Sequence, residues 1–85
     1  MRIIQTAEFE RSLQKLPANI QRLCAAQTEH LLHDRRDARL HIKKLRGLAE
    51  VYSFRVTRSY RALFYFDRTG DIILFEIDDR KDVYR

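Results

Sequence analysis

Arginine is the residue type around which any chemistry of this chain has to be built. Arg55 and Arg61 fall in two neighbouring segments that alternate with a period of two, Val51–Val56 and Tyr60–Phe66. Tyr52, Phe54 and Val56 share one side of the first segment, with Ser53 and Arg55 opposite; Tyr60, Ala62, Phe64 and Phe66 share one side of the second, with Arg61 opposite. In a strand, successive side chains point to opposite faces, so both arginines belong to the face away from the aromatic rings. Lys43, Lys44 and Arg46 approach from the preceding stretch, and Arg80 and Lys81 follow the last apolar segment. Guanidinium groups grip phosphate through paired hydrogen bonds and lysines add point charge, so the set suits a polyanion. Any one of these residues is most simply a solvated surface charge. As a group they repel one another unless an anion is shared, which favours a binding face. Arg61 is expected on an open face, where its removal uncovers no core.

Proton-transfer groups are few. Tyr84 can stack on a base, donate a hydrogen bond or act as a weak acid or base; packing of its ring against a sheet edge is an equal alternative. Tyr65 shares the side of Arg61 and reads as packing or base stacking. His41 opens the basic stretch and is either an exposed linker histidine or an RNA-binding acid/base. His30 and His33 have a three-residue helical spacing, but no cysteine or carboxylate completes a metal motif, so they read as solvated. Cys24 reads as a small core residue. The sequence contains no phosphate loop, dinucleotide fingerprint, zinc finger or nucleophile elbow, and no cofactor or small-molecule ligand is implied.

The charge supports the same reading. The net charge is +5 with a pI near 9.8, and it is uneven: residues 40–66 carry six basic against one acidic side chain, while residues 67–85 carry four against six. A concentrated basic stretch suits nucleic acid, an anionic membrane or an acidic protein. No basic amphipathic helix accompanies it, which disfavours the membrane and leaves RNA as the favoured polyanion. With one cysteine there is no disulfide within the chain, in keeping with a reducing cytoplasm. No apolar run approaches membrane-spanning length, and the first residues lack the apolar core of a signal peptide.

The elements that must position these residues form one small domain over residues 1–85. Ile3 and Ile4 open a short strand. Thr6 is a helix N-cap, with Glu8 and Glu10 in the first turn where the helix dipole favours negative charge. Phe9, Leu13 and Leu16 form one apolar stripe. Pro17 ends that helix and begins the next, whose stripe is Ile20, Leu23, Cys24, Leu31 and Leu32, running to about Asp34. Residues 40–48 connect, with Gly47 as a turn. Three strands follow, the last with Ile73, Phe75 and Ile77 opposite Glu76, and Asp67–Asp71 forms the hairpin loop between the last two. The expected fold class is α+β, in the order β-α-α-β-β-β, with a two-helix hairpin packed on the aromatic face of a mostly antiparallel sheet.

The run His41-Ile42-Lys43-Lys44-Leu45-Arg46-Gly47-Leu48, then Val51 to Val56, then Ser59-Tyr60-Arg61, then Asp79-Arg80-Lys81-Asp82-Val83-Tyr84-Arg85, resembles the RelE/ParE toxin superfamily. The preceding helical hairpin fits as well, so the resemblance covers nearly the whole chain. It implies the toxin of a type II toxin–antitoxin system with a cognate antitoxin as partner. In the RelE-like branch the partners are also the ribosome and messenger RNA, cut without a metal by attack of a 2′-hydroxyl on the adjacent phosphate. By the same resemblance Arg61, Arg55, Arg80 and Tyr84 are the catalytic candidates, while Lys43, Lys44, Arg46, His41 and Lys81 contact RNA. The alternatives are a ParE-like inhibitor of DNA gyrase and a weakened toxin kept for antitoxin binding and operon repression. Two positions depart from the pattern: Asp79 stands where many relatives have histidine, and Ser53 where some messenger-cleaving members have lysine. Loss of a general acid or base typically lowers a rate about 10²–10⁴-fold.

Overall fold

The computed structural model describes residues 1–47 and 50–79. Its elements, in order, are β1 (Ile3–Gln5), α1 (Ala7–Gln14), α2 (Ala18–His33), a short 3-10 turn (Ala38–Leu40), β2 (Lys43–Lys44), β3 (Tyr52–Arg55), β4 (Tyr60–Phe66) and β5 (Ile72–Asp79). The five strands form one sheet in the order β1-β5-β4-β3-β2. β1 runs parallel to β5, and every other pairing is antiparallel. This is the expected α+β arrangement with one strand added. Lys43 and Lys44 lack apolar alternation, and only their register against Ser53 and Tyr52 makes them a strand.

Local chemistry explains the helical hairpin. The Thr6 hydroxyl accepts the Phe9 N–H at 3.1 Å, which caps α1, and Glu8 and Glu10 lie in its first turn. Such a cap is typically worth about 1 kcal/mol. Phe9 is the buried anchor of α1. Pro17 is itself the N-cap of α2, and its carbonyl accepts the N–H groups of Ile20 and Gln21. Cys24 and Leu31 are the buried residues of α2, with Ile20 packed beside them. Leu23 and Leu32 fall off that stripe and are exposed, so the apolar set read from the sequence is wider than the face actually buried. Gln27 donates at 2.8 Å to the carbonyls of both Arg39 and Arg55, tying α2 to the 3-10 turn and to β3.

The core lies between the helices and the sheet. Phe54, Val56, Ala62, Phe64, Ile72 and Leu74 meet Phe9, Cys24 and Leu31 there, and Tyr52, Phe66 and Ile77 pack at its margin. The aromatic face therefore carries the helices, as expected. The first half of β5, Ile72 to Phe75, faces differently from expectation, whereas Glu76 and Ile77 face as expected. Leu63 pairs with Glu76 but Phe64 pairs with Leu74, so Phe75 is an extra residue in β5. Such a bulge resets the alternation. Ile72, Leu74 and Ile77 thus join the core, whereas Ile73 pairs with Tyr65 on the other face and the Phe75 ring lies 5.6 Å from that of Tyr65.

Three carboxylates stabilise turns and the edge of the sheet. Asp71, almost fully buried, accepts the Arg2 backbone N–H at 2.9 Å and its guanidinium at 3.0 and 3.2 Å. These bonds, the backbone one foremost, hold its carboxyl below the usual range. Asp67 accepts the Thr69 hydroxyl at 2.7 Å and the N–H groups of Thr69 and Asp71, and is likewise lowered. The Arg39 side chain beside Asp37 brings that carboxyl down to about 2. A carboxylate whose pKa is lower folded than unfolded stabilises the fold above its unfolded value of about 4, and that stabilisation fades as pH falls through the folded value. The urea midpoint is therefore expected to be level from pH 7 to 5 and to fall from pH 4 towards 2. Asp71→Asn is expected to make that fall shallower; an unaltered acid response in this variant would remove Asp71 as a cause.

Candidate functional site

The register brings part of the basic set onto the sheet face opposite the helices. Arg55 pairs with Arg61, and Arg61 pairs in turn with Asp78. In the next row Lys43 pairs with Ser53, Ser53 with Leu63 and Leu63 with Glu76. Residues directly opposite one another share a face. Lys43 therefore joins the two arginines, while Lys44, opposite Tyr52, belongs to the helix-bearing side. Arg46 is exposed in the turn that Gly47 completes at φ +76°. Arg80, Lys81 and Tyr84 lie outside the described residues, as do Leu48 and residues 82, 83 and 85.

Arg61 is not the open-face arginine expected from the sequence: it is only 4% exposed. Its Nε donates to Ser53 Oγ at 2.8 Å and its Nη2 to the His41 carbonyl at 2.6 Å. Alternation assigns Arg61 to the correct face but says nothing of depth, and a long side chain lying along its own sheet can be buried by its neighbours. Taking a guanidinium from water is costly unless hydrogen bonds and an opposite charge accompany it. Here the hydroxyl, the carbonyl and the cross-strand position of Asp78 supply that setting. Ser53, itself buried, thereby acquires a role: a lysine at this position would set a second cation against the Arg61 Nε.

The Arg61 bond also fixes where the basic stretch begins. His41 has a left-handed backbone, φ 46° and ψ 51°, and caps the 3-10 turn. Non-glycine residues visit this region at a cost. With its carbonyl held by Arg61, its exposed imidazole and the following Lys43 are carried along the edge of the face. The Leu45 N–H bonded to the Val51 carbonyl at 2.9 Å closes the far end of the stretch. Arg55 is half-buried, and its Nε has no hydrogen-bond partner among the described residues.

Glu76 and Asp78 also lie on this face, as plain alternation from Ile77 gives, since the bulge at Phe75 reverses only the residues of β5 that precede it. Asp79, by contrast, pairs with Tyr60, whose ring packs on the helix side, so the register sets it on the opposite side from Arg61. The remaining candidates lie elsewhere. His33 is exposed, 3.6 Å from Glu29 one turn earlier. Cys24 is buried, and burial pushes its thiol up, which leaves it unreactive. Among the described residues no three metal-ligating side chains come together.

No protein-family profile matches the chain, and no curated protein sequence matches it either. Solved structures do. The toxin–antitoxin complex RelBE2 from Mycobacterium tuberculosis contains a chain 27% identical, with 93% of this chain and 96% of that one covered and a TM-score of 0.64. The RelB–RelE antitoxin–toxin complex from Methanococcus jannaschii gives 22% identity, coverage of 95% and 94%, and a TM-score of 0.77. The YoeB/ParE toxin from Agrobacterium tumefaciens gives 14% identity, coverage of 93% and 98%, and a TM-score of 0.77. The chain has the fold of the RelE, YoeB and ParE-type toxins over nearly its whole length.

The burial of Arg61 sets an expected cost. Arg61→Ala removes two charge-assisted hydrogen bonds and strands buried acceptors, which should lower stability by about 2–3 kcal/mol. Ser53→Ala should cost about 1 kcal/mol, since one bond is lost. Urea denaturation followed by circular dichroism measures both, and an Arg61→Ala variant as stable as the native chain would show that these bonds contribute nothing.

Proposed function

We propose that this chain is the toxin of a type II toxin–antitoxin pair and that it cleaves messenger RNA in the ribosome. The observation that carries the reading is the pairing of Arg55 with Arg61 on the sheet face free of helices, with His41 tied to Arg61 at 2.6 Å and Lys43 in the neighbouring row. A toxin–antitoxin fold shared with RelE structures supports it, as do the antitoxin-bound complexes among those structures. The partners are then a cognate antitoxin, the ribosome and messenger RNA.

In this mechanism a 2′-hydroxyl gives up its proton as its oxygen attacks the adjacent phosphorus. The bond to the 5′-oxygen breaks, and that oxygen takes up a proton. No metal or other cofactor enters the scheme. Charge grows on the phosphate oxygens, and fixed cations in a partly dry site stabilise it best. Arg55, the more exposed of the two paired arginines, meets that charge, and Lys43 and Arg46 bind the strand. Arg61 acts as a positioning residue, holding β3 and the start of the basic stretch. His41, an exposed histidine at the start of the basic stretch, is the acid/base candidate among the described residues. Arg80, Lys81 and Tyr84 enter the scheme by resemblance alone.

A second reading has its own support. The burial of Arg61, with Glu76 and Asp78 on the same face, weakens the attraction for phosphate and favours a gyrase-directed or attenuated toxin. Induction in growing cells separates the two: translation is expected to fail before supercoiling changes. In primer extension on stalled ribosome complexes, His41→Ala should lower cleavage about 100-fold. Lys43→Ala should weaken cleavage while leaving the fold intact, and Asp79→His, on the helix side, should leave the rate unchanged. Loss of supercoiling with translation intact would replace this reading with the gyrase one.

A further inference from the structure

The bulge at Phe75 also brings a short apolar row to the sheet face that carries Arg55 and Arg61. Ile4 pairs with Ile73 and Ile73 with Tyr65, so the three share that face. The Phe75 ring lies 5.6 Å from the Tyr65 ring, tilted by 51°. Leu63 and Ile73 are buried beside them, whereas Tyr65 is 38% and Ile4 37% exposed. Tyr52 and Tyr60, on the helix side, are only half-buried, so Tyr65 is the open tyrosine among the described residues. Along β4 the face runs from charge to ring. Arg61 stands beside Arg55 and Asp78, Leu63 follows in the row that ends on Lys43 and Glu76, and Tyr65 comes next. At about 3.4 Å per residue, Tyr65 lies about 14 Å along the strand from Arg61. Lys43 and Arg55 flank β4 on its β3 side, and Glu76 and Asp78 flank it on its β5 side.

A single-stranded nucleotide has a matching division into an anionic phosphate and a flat, uncharged base. Lys43 and Arg55 attract the phosphate and Glu76 repels it, whereas the base can enter the row of rings. Aromatic side chains stack on any base, because every base has a π-face. Glu76 adds a preference. It is exposed and follows Phe75 directly, and its carboxylate accepts hydrogen bonds. Adenine, cytosine and guanine each donate through an exocyclic amino group, where uracil has carbonyl oxygens. A protein partner is the other use of an apolar patch. Stable protein interfaces bury about 800 Å² per partner, more than one row of partly covered side chains presents. We propose that Tyr65 and Phe75 form a stacking platform for one base of a single-stranded RNA, and that Glu76 favours a base with an exocyclic amino group over uracil. The inference rests on the RNA-binding part of the reading above and adds specificity-determining residues to it, away from the arginine pair.

The test uses the full chain and three fluorescently labelled oligomers of equal length: 2′-O-methyl oligocytidylate, 2′-O-methyl oligouridylate and an abasic ribose-phosphate strand. The methyl group removes the attacking hydroxyl, so binding is read without cleavage. Anisotropy gives affinity, and chemical shifts locate the base. The cytidylate is expected to bind about fivefold more tightly than the uridylate, and shifts should include Tyr65 and Phe75. Tyr65→Leu keeps apolar cover over the sheet but removes the ring. It should weaken cytidylate binding about tenfold and leave the abasic strand unaffected, while Tyr65→Phe should restore the affinity. Glu76→Gln, which donates as well as accepts, should abolish the preference for cytidylate. Lys43→Ala should weaken all three oligomers alike. Unchanged cytidylate affinity in Tyr65→Leu, equal losses on the cytidylate and abasic strands, or a preference for cytidylate that survives in Glu76→Gln would each overturn the proposal. Binding of purified DNA gyrase that Tyr65→Leu abolishes, with no oligomer bound, would replace the platform with a protein contact. Messenger cleavage on the ribosome is measured separately: cleavage that persists in Tyr65→Leu with unaltered base preference overturns the platform alone, and oligomer binding in a chain that cleaves nothing overturns only the ribonuclease.

Discussion

The guanidinium of Arg61 joins parts of the chain that the sheet alone would leave separate. One arm reaches the Ser53 hydroxyl on the adjacent strand, and another reaches the His41 carbonyl at the mouth of the connecting stretch. Among the described residues that stretch pairs with β3 through Lys43 and Lys44, and the Leu45 N–H bond to the Val51 carbonyl closes its far end. Two pairs of lysine-bearing backbone would form a weak edge without support at its start. The position of every cation between His41 and Arg46 therefore depends on a bond made by a residue of β4. A buried arginine with neutral acceptors also keeps its charge, since it does not deprotonate in a protein, and so contributes a fixed positive potential to the face without touching solvent.

Placing Arg61 in the interior sets two neighbouring arginines in different surroundings. Arg55 is half-buried, whereas Arg61 is nearly enclosed and donates to two internal acceptors. Directly opposed like charges normally disfavour a strand pair. Here one member is tied down between a hydroxyl and a carbonyl, and Asp78 stands on its other flank. The same arrangement explains why serine at position 53 is compatible with the fold: it is small, it accepts, and it adds no charge.

The sequence was most informative where a single local rule governs. Thr6 as a cap, Pro17 between the helices, Gly70 in the hairpin and the alternation of Tyr60–Phe66 each follow from one residue's chemistry, and each appears at the expected place. Legibility failed where the outcome depends on two strands at once. The extra residue at Phe75 exists only because of the pairing of β5 with β4, and it moved Ile73 to the outer face while bringing Ile72 and Leu74 inward. The depth of Arg61 failed for a related reason, because alternation assigns a face but not what covers it. Leu23 and Leu32 show the converse in a helix, where periodicity marks apolar residues and only the neighbouring element decides how many are covered.

The parallel pairing of β1 with β5 has a consequence for the order of assembly. Ile3 lies beside Ile72, and the Arg2 N–H bonds to a carboxylate 69 positions further along the chain. Contacts of such long sequence separation are slow to form, because most of the loop entropy is spent before they are made. During synthesis at about 5–20 residues per second, the first strand therefore waits several seconds for its mate. Until that mate emerges, the sheet lacks the edge strand that closes it, and the face bearing the arginines rests on an unfinished platform. A sheet built this way acquires its complete architecture only after residues 72–79 have left the ribosome.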